Sequence, residues 1–251
     1  MDHQTKKNIG ESPLFKPWFK NSDISKYRVN ENNSLWVIQA HTGLNMEKYP
    51  NIKTHLEKYK QAIKSRNYDS GELSKAKRLG KWWAMSSSRR EFDFSKPKIA
   101  SPQRSYNNTF AYTEKEWTAS ADVYFITLKD TSYDLKYILS LLNSRVYFLW
   151  LYFRGKRKGE MLELYLTPLS EIPIKKISLS EQKPFINLVN QILAITKDDD
   201  YLDNPDKQAR VKRLENEIDQ LVYKLYELTP EEIEIVEEFS NEKIVEKTSG
   251  A

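Results

Sequence analysis

"YILSLLNSRVYFLW" (Tyr137–Trp150) runs directly into "LYFRGKRKGEMLEL" (Leu151–Leu164), and this junction decides how the 251-residue chain is read. The first segment is among the most apolar in the chain. The second sets four cations in five residues (Arg154, Lys156, Arg157, Lys158) with Gly155 and Gly159 around them. Leu135, Ile138, Leu139 and Leu142 recur at helical spacing behind Asp134, a good N-cap, so one long helix is expected from Asp134 to about Phe153. A core helix that gives way at once to a basic, glycine-hinged loop suggests a loop built to approach anions closely. A plain solvated turn is the alternative reading.

Working outward from this junction, "LWVIQA" (Leu35–Ala40) reads as a strand, as do "KWWAMSS", "KPKIASPQR" and "ADVYFITLK". "YNNTFAYT" is expected to pair with the last of these around a turn, and "SEIPIKKI" to form an edge segment. Ile52, Leu56, Tyr59 and Ile63 follow Pro50 at helical spacing. Mixed short strands and helices up to Ile177 argue for an α+β body. The pattern then changes. "SLSEQKPFINLVNQILAIT" starts a helix with Ser180 as its cap and Pro184 in the tolerated first turn. "KDDDYLDNPD" reads as a linker. Val211, Leu214, Ile218, Leu221, Leu225 and Leu228 form a heptad seam, and Thr229, Pro230 and Glu232 start another helix with a capping box. The expected layout is a mixed α/β body with several short strands over residues 1–177, a coiled-coil-like helical hairpin over 178–238 with helices of roughly 25–35 Å, and a disordered tail over 239–251. The seam also offers a self-association surface through Leu214, Ile218, Leu221 and Leu225.

Composition narrows the function. The chain has no Cys and only three scattered His (His3, His41, His55), which excludes disulfides and disfavours a Cys- or His-based metal site. No segment reaches ~18 uninterrupted apolar residues and no secretory leader is visible, so a soluble, cytoplasmic protein is expected. The net charge of +5 is unevenly spread: residues 1–177 hold 31 Lys and Arg against 18 Asp and Glu, and residues 178–251 hold 9 against 17. A basic body with an acidic C-terminal segment points to a polyanionic partner for the body.

Catalytic signatures are missing. No Gly-rich strand-to-helix loop, no Asn-Pro-Pro-aromatic motif and no Gly-flanked serine elbow is present. "PDK" (Pro205–Lys207) lacks the Glu-x-Lys partner of a nuclease site. Basic and aromatic residues carry the stronger signal. Lys75–Arg104 contains nine Lys and Arg against two acids, interleaved with Trp82 and Trp83. Lys and Arg neutralise phosphates, Ser and Asn fix register on them, and Arg forks match guanine edges. Lys81, Trp82, Ser88, Arg89, Arg90, Lys96, Lys98 and Arg104 are the candidates here, joined by Arg154, Lys156, Arg157 and Lys158. Adjacent strand residues face opposite ways, so one of Trp82 and Trp83 is expected in the core. A solvated strand face is the competing reading of Lys96 and Lys98.

"LFKPWFKNSDISKY" (Leu14–Tyr27), "WWAMSSSRREFDFSKPKIASPQRS" (Trp82–Ser105), "ADVYFITL" (Ala121–Leu128), "YILSLLNSRV" (Tyr137–Val146) and "GKRKGEMLELYLTPLSEIPI" (Gly155–Ile174) together resemble the TaqI-like C-terminal specificity domain. That domain is the target-recognition part of adenine-specific DNA methyltransferases and of combined restriction–modification enzymes, the Eco57I-like or type IIG group. "SEQKPFINLVNQIL" and "LENEIDQLVYKLYELTPEEIEIVEE" look like the helices that end such enzymes, so the resemblance spans about residues 14–238. It implies double-stranded DNA as partner. It also implies an N-terminal methyltransferase domain, with or without a nuclease, that flips an adenine and methylates its N6 from S-adenosylmethionine. No cofactor is expected in this chain itself. The cofactor loop and the Asn-Pro-Pro-aromatic motif of the full pattern are missing, so the chain reads as the C-terminal part of such an enzyme or as the partner of a separate catalytic chain, and the polar "DHQTKKNIGES" after Met1 fits a start inside a linker. By the same resemblance Lys20, Asn21 and Ser22 lie near the DNA or the catalytic domain, while Asp23 caps the turn or pairs with a cation. Two other readings remain: an RNA or single-strand binding module, for which the fifteen Tyr offer stacking platforms, and a helical interaction scaffold.

Overall fold

A computed structural model describes residues 1–65, 71–85 and 92–249, with only the backbone described at residues 63, 64, 71–73 and 244–249. Ser88, Arg89 and Arg90 lie outside the described residues. In chain order the elements are α1 (His3–Ile9), β1 (Phe15–Phe19), β2 (Ile24–Ser25), β3 (Arg28–Val29), β4 (Leu35–Ile38), α2 (Pro50–Glu57), α3 (Lys60–Lys64), α4 (Gly71–Arg78), β5 (Lys98–Pro102), β6 (Arg104–Ser105), β7 (Ala111–Thr113), β8 (Thr118–Ala119), β9 (Val123–Ile126), α5 (Leu135–Leu142), α6 (Arg145–Arg154), β10 (Lys156–Lys158), β11 (Met161–Glu163), α7 (Leu166–Ser170), α8 (Leu179–Thr196), α9 (Pro205–Tyr226) and α10 (Pro230–Ser249). The fold is α+β, with small antiparallel sheets and a helical C-terminal part. None of the described helices is long and apolar enough to cross a membrane.

The chain forms two compact units. Met1–Phe19, Glu31–Lys96 and Lys115–Thr118 make the first; Lys20–Asn30, Pro97–Glu114 and Ala119–Ala251 make the second. In the first, β1 pairs antiparallel with β4, from Phe15 opposite Ile38 to Trp18 opposite Leu35. Phe15, Ile9, Ala40, Met46 and Ile52 form its core, with Trp83 packed against them, and Phe19 stacks on the fully buried Trp117 at 4.6 Å. The expected helix after Pro50 is divided into α2 and α3. The expected strand at Lys81 does not form over residues 81–85, which are irregular chain. Trp82 and Trp83 are accordingly not an in–out strand pair: both are half-buried and meet edge to face at 5.8 Å.

The second unit is built on β7-β5-β9, with β5 in the middle. "YNNTFAYT" therefore pairs with β5, Lys98 opposite Thr113, and not with β9 as expected. α5, α6, α8 and α9 cover a large core containing Ile99, Phe110, Leu139, Leu142, Leu151, Ile192, Ile218 and Val222. The single helix expected from Asp134 is two. Asp134 caps α5 as read, but the helix stops at Asn143 and Ser144 caps α6 afresh. Two short polar side chains compete with the helical ladder here. Asn143 exchanges hydrogen bonds with the Phe110 backbone, and the Asn108 amide donates to the carbonyls of Leu142 (2.7 Å) and Ser144 (2.8 Å).

The helical segment follows the same logic. Ser178, not Ser180, caps α8, because it is Ser178 that stands three residues before Glu181 and closes a capping box with it. Thr229 and Glu232 bond reciprocally at the start of α10. α10 is helical to Ser249, past residue 239 where a tail was expected. In α9 the buried positions are Val211, Leu214, Ile218, Asp219, Val222 and Tyr223. Leu214 and Ile218 thus belong to the core of the second unit, while Leu221 and Leu225 are half-buried. "SEIPIKKI" forms no strand; Tyr147 and Tyr226 instead hydrogen-bond its backbone at Pro173 and Lys175.

Asp219 ties α9 to α6. It accepts from the Arg145 backbone N–H at 2.8 Å, and its carboxylate lies 3.5 Å from the Arg145 guanidinium. Burial pushes its carboxyl up to about 6. The folded value lies above an unfolded Asp near ~3.9. Stability from this group is therefore complete below that pH and lost as pH rises through about 6. The stability of Asp219→Asn relative to the parent should rise across that window and be level outside it, measured by urea unfolding at a series of pH values.

Candidate nucleic-acid interface

The basic stretch after α6 is a β-hairpin, not the glycine-hinged loop expected. Arg154 closes α6, and Lys156–Lys158 form β10, paired antiparallel with β11: Lys156 opposite Glu163, Arg157 opposite Leu162, Lys158 opposite Met161. β11 pairs in turn with β6, Leu162 opposite Ser105 and Glu163 opposite Arg104. "GE" between "KRK" and "MLEL" was the sequence signal, since a two-residue Gly-X connection is a hairpin turn. Gly159 takes the left-handed backbone that this turn needs, at φ +62°. Gly155 serves differently. A Cβ there would stand 2.5 Å from the Leu151 carbonyl oxygen, so the strand leaves the helix along a path open only to glycine. Gly155→Ala should cost about 1–3 kcal/mol of stability through this overlap, read from urea unfolding, and should displace the hairpin.

Opposite residues of a sheet share a face and successive ones alternate. One face therefore carries Lys156, Lys158, Met161, Glu163 and Arg104. The other carries Arg157, Leu162 and Ser105, and Leu162 anchors it in the core. Lys156, Arg157 and Lys158 are all exposed, but they are not equivalent. Arg157 lies over the Tyr152 ring at 3.9 Å. Lys156 Nζ lies 5.7 Å from the centre of the Tyr165 ring, and the nearby Tyr165 hydroxyl holds its ammonium above the ordinary lysine value. Arg104 meets Glu163 through Nε at 3.1 Å. Glu163, absent from the sequence reading, stands between Lys156 and Arg104 in one cross-strand row.

Elsewhere in this unit Lys20, Asn21 and Ser22 are exposed, with Lys20 at the N-cap of a 3-10 turn over Asn21–Asp23. Asp23 is structural, as expected: its carboxylate accepts from the Lys20 N–H (2.7 Å) and the Asn30 amide (3.1 Å). Two residues on from β2, Tyr27 takes a left-handed backbone at φ +63° with its ring buried in the core. Lys98 corrects the sequence reading. It is wholly buried, because β5 is the central strand and every one of its residues is inside. A solvated, DNA-facing role for Lys98 does not fit that burial.

In the first unit Lys81 donates its ammonium to the carbonyls of Thr42 (2.6 Å) and Leu44 (3.3 Å), fixing that loop. Trp82 lies 5.3 Å from the Lys60 ammonium. Lys96 is exposed, 3.9 Å from Asp93.

The described residues thus place the hairpin cations and Arg104 together on one small sheet. The family model for the TaqI-like C-terminal specificity domain matches residues 16–174, well over half of the chain, and runs from within β1 to the end of "SEIPI". Both the Lys20–Ser22 turn and the basic sheet fall within the matched span, and the chain belongs to the family of TaqI-like C-terminal specificity domains.

Proposed function

We propose that this chain is the sequence-reading module of a restriction–modification enzyme, a site-specific N6-adenine DNA methyltransferase. It grips double-stranded DNA with the β10-β11-β6 sheet and the Lys20–Ser22 turn. The observation that carries the reading is the face of this sheet: Lys156, Lys158 and Arg104 with a single acid, in a chain of the specificity-domain family. Lysines at β-strand spacing match a run of phosphates, and such contacts position a protein on the duplex while base edges specify the site. In this reading the methyl transfer, its S-adenosylmethionine and any cleavage belong to a catalytic domain outside these residues. That domain flips the target base once the module has set the register.

The test is fluorescence anisotropy with a duplex and with each of its separated strands at about 50 and 200 mM salt. Preferential duplex binding that weakens steeply with salt is expected. Tighter binding to the single strands would replace this reading with a stacking platform, and no binding at either salt would favour a helical scaffold.

A further inference from the structure

The acid in the basic face calls for an explanation. A face that met only phosphates would gain nothing from Glu163, whose carboxylate repels a phosphate placed on the neighbouring guanidinium. We propose that Arg104 reads a guanine in the major groove and that Glu163 is the positioning residue that aims it; this rests on the DNA-recognition reading above.

The geometry carries the assignment. Arg104 and Glu163 are directly opposed across β6 and β11. The ion pair uses the Nε edge of the guanidinium, at 3.1 Å from Oε1. A guanidinium is planar with five donors in a fixed fork, so an acceptor held at Nε fixes the plane and leaves the outer edge, formed by the two terminal nitrogens, to donate to another acceptor. That pair of donors matches guanine O6 and N7, which accept in a bidentate way. The Glu163 side chain retains 18% of its exposure and Arg104 40%. The guanidinium is therefore the more accessible partner of the pair. The pair is neutral as a unit, which suits a base edge better than a phosphate. Lys156 and Lys158, on the same face, take the phosphates.

The experiment is selection from a random duplex library by the intact chain and by Arg104→Ala, Arg104→Lys, Glu163→Ala and Glu163→Gln, each checked for folding by thermal melting. Arg104→Ala and Arg104→Lys should both flatten the preference at one guanine position by about 10–100-fold and leave the other positions unchanged. Lysine fails because a point charge cannot form the fork. Glu163→Ala should weaken the same preference, about 10-fold, and Glu163→Gln should restore it, because the amide oxygen still accepts from Nε. A purely structural acid would give no such rescue confined to one base pair. Uniform weakening of all sequences by Arg104→Ala, with a log–log salt slope shallower by about one, would make Arg104 a phosphate contact and overturn the assignment. An unchanged motif in all four variants would do the same while leaving the recognition reading intact. Failure of the parent chain to bind duplex at all would bring down both.

Discussion

Replacing Lys156 and Lys158 together by alanine is expected to weaken binding to duplexes of every sequence alike and to make the log–log salt slope shallower by about two. The two lysines occupy alternate positions of β10, so both sit on the face that also holds Arg104. Each phosphate contact releases counterions with a slope of about −0.9, so losing two at ~0.1 M salt lowers affinity by roughly 60-fold. Arg157→Ala provides the contrast. Arg157 is on the opposite face and lies on Tyr152 at 3.9 Å. Its loss should cost stability, about 0.5–1 kcal/mol from the cation–π contact, and change the salt slope little. Equal slopes for the double variant and the parent, by anisotropy titration, would take the sheet out of the interface.

Ile218→Ala is the largest expected effect on folding, a loss of about 2–5 kcal/mol. Ile218 is 1% exposed, within the core shared by α5, α6, α8 and α9. Leu221→Ala, at a half-buried position of the same seam, should cost under about 1.5 kcal/mol. A helix whose seam existed for partner binding would show small losses of stability at both positions together with loss of a partner. Urea unfolding of the two variants distinguishes these outcomes.

Local chemistry was legible in the sequence where it depends on near neighbours. Asp134 as a cap, the Thr229–Glu232 box and the strand at Leu35 need only a few adjacent residues, and they stand in the structure as read. What failed depends on residues far away in the chain. The break at Asn143 is set by Asn108 and Phe110. The burial of Lys98 follows from the strands that flank β5, and a period-2 pattern does not reveal whether a strand is central. The hairpin at Lys156 was readable from "GE", but its face was not, because the face depends on the pairing of Glu163 with Arg104, 59 residues earlier. The cations of the candidate site were thus visible as residue types. Their grouping, and the acid among them, came only from the sheet register.

The most direct test of the central claim is to select duplexes from a random library with the intact chain at about 100 mM salt and sequence the bound pool. A defined motif of several base pairs is expected, enriched over the input and lost when salt is raised to a level that abolishes binding. A bound pool indistinguishable from the input would contradict it, leaving a chain that holds phosphates without reading sequence.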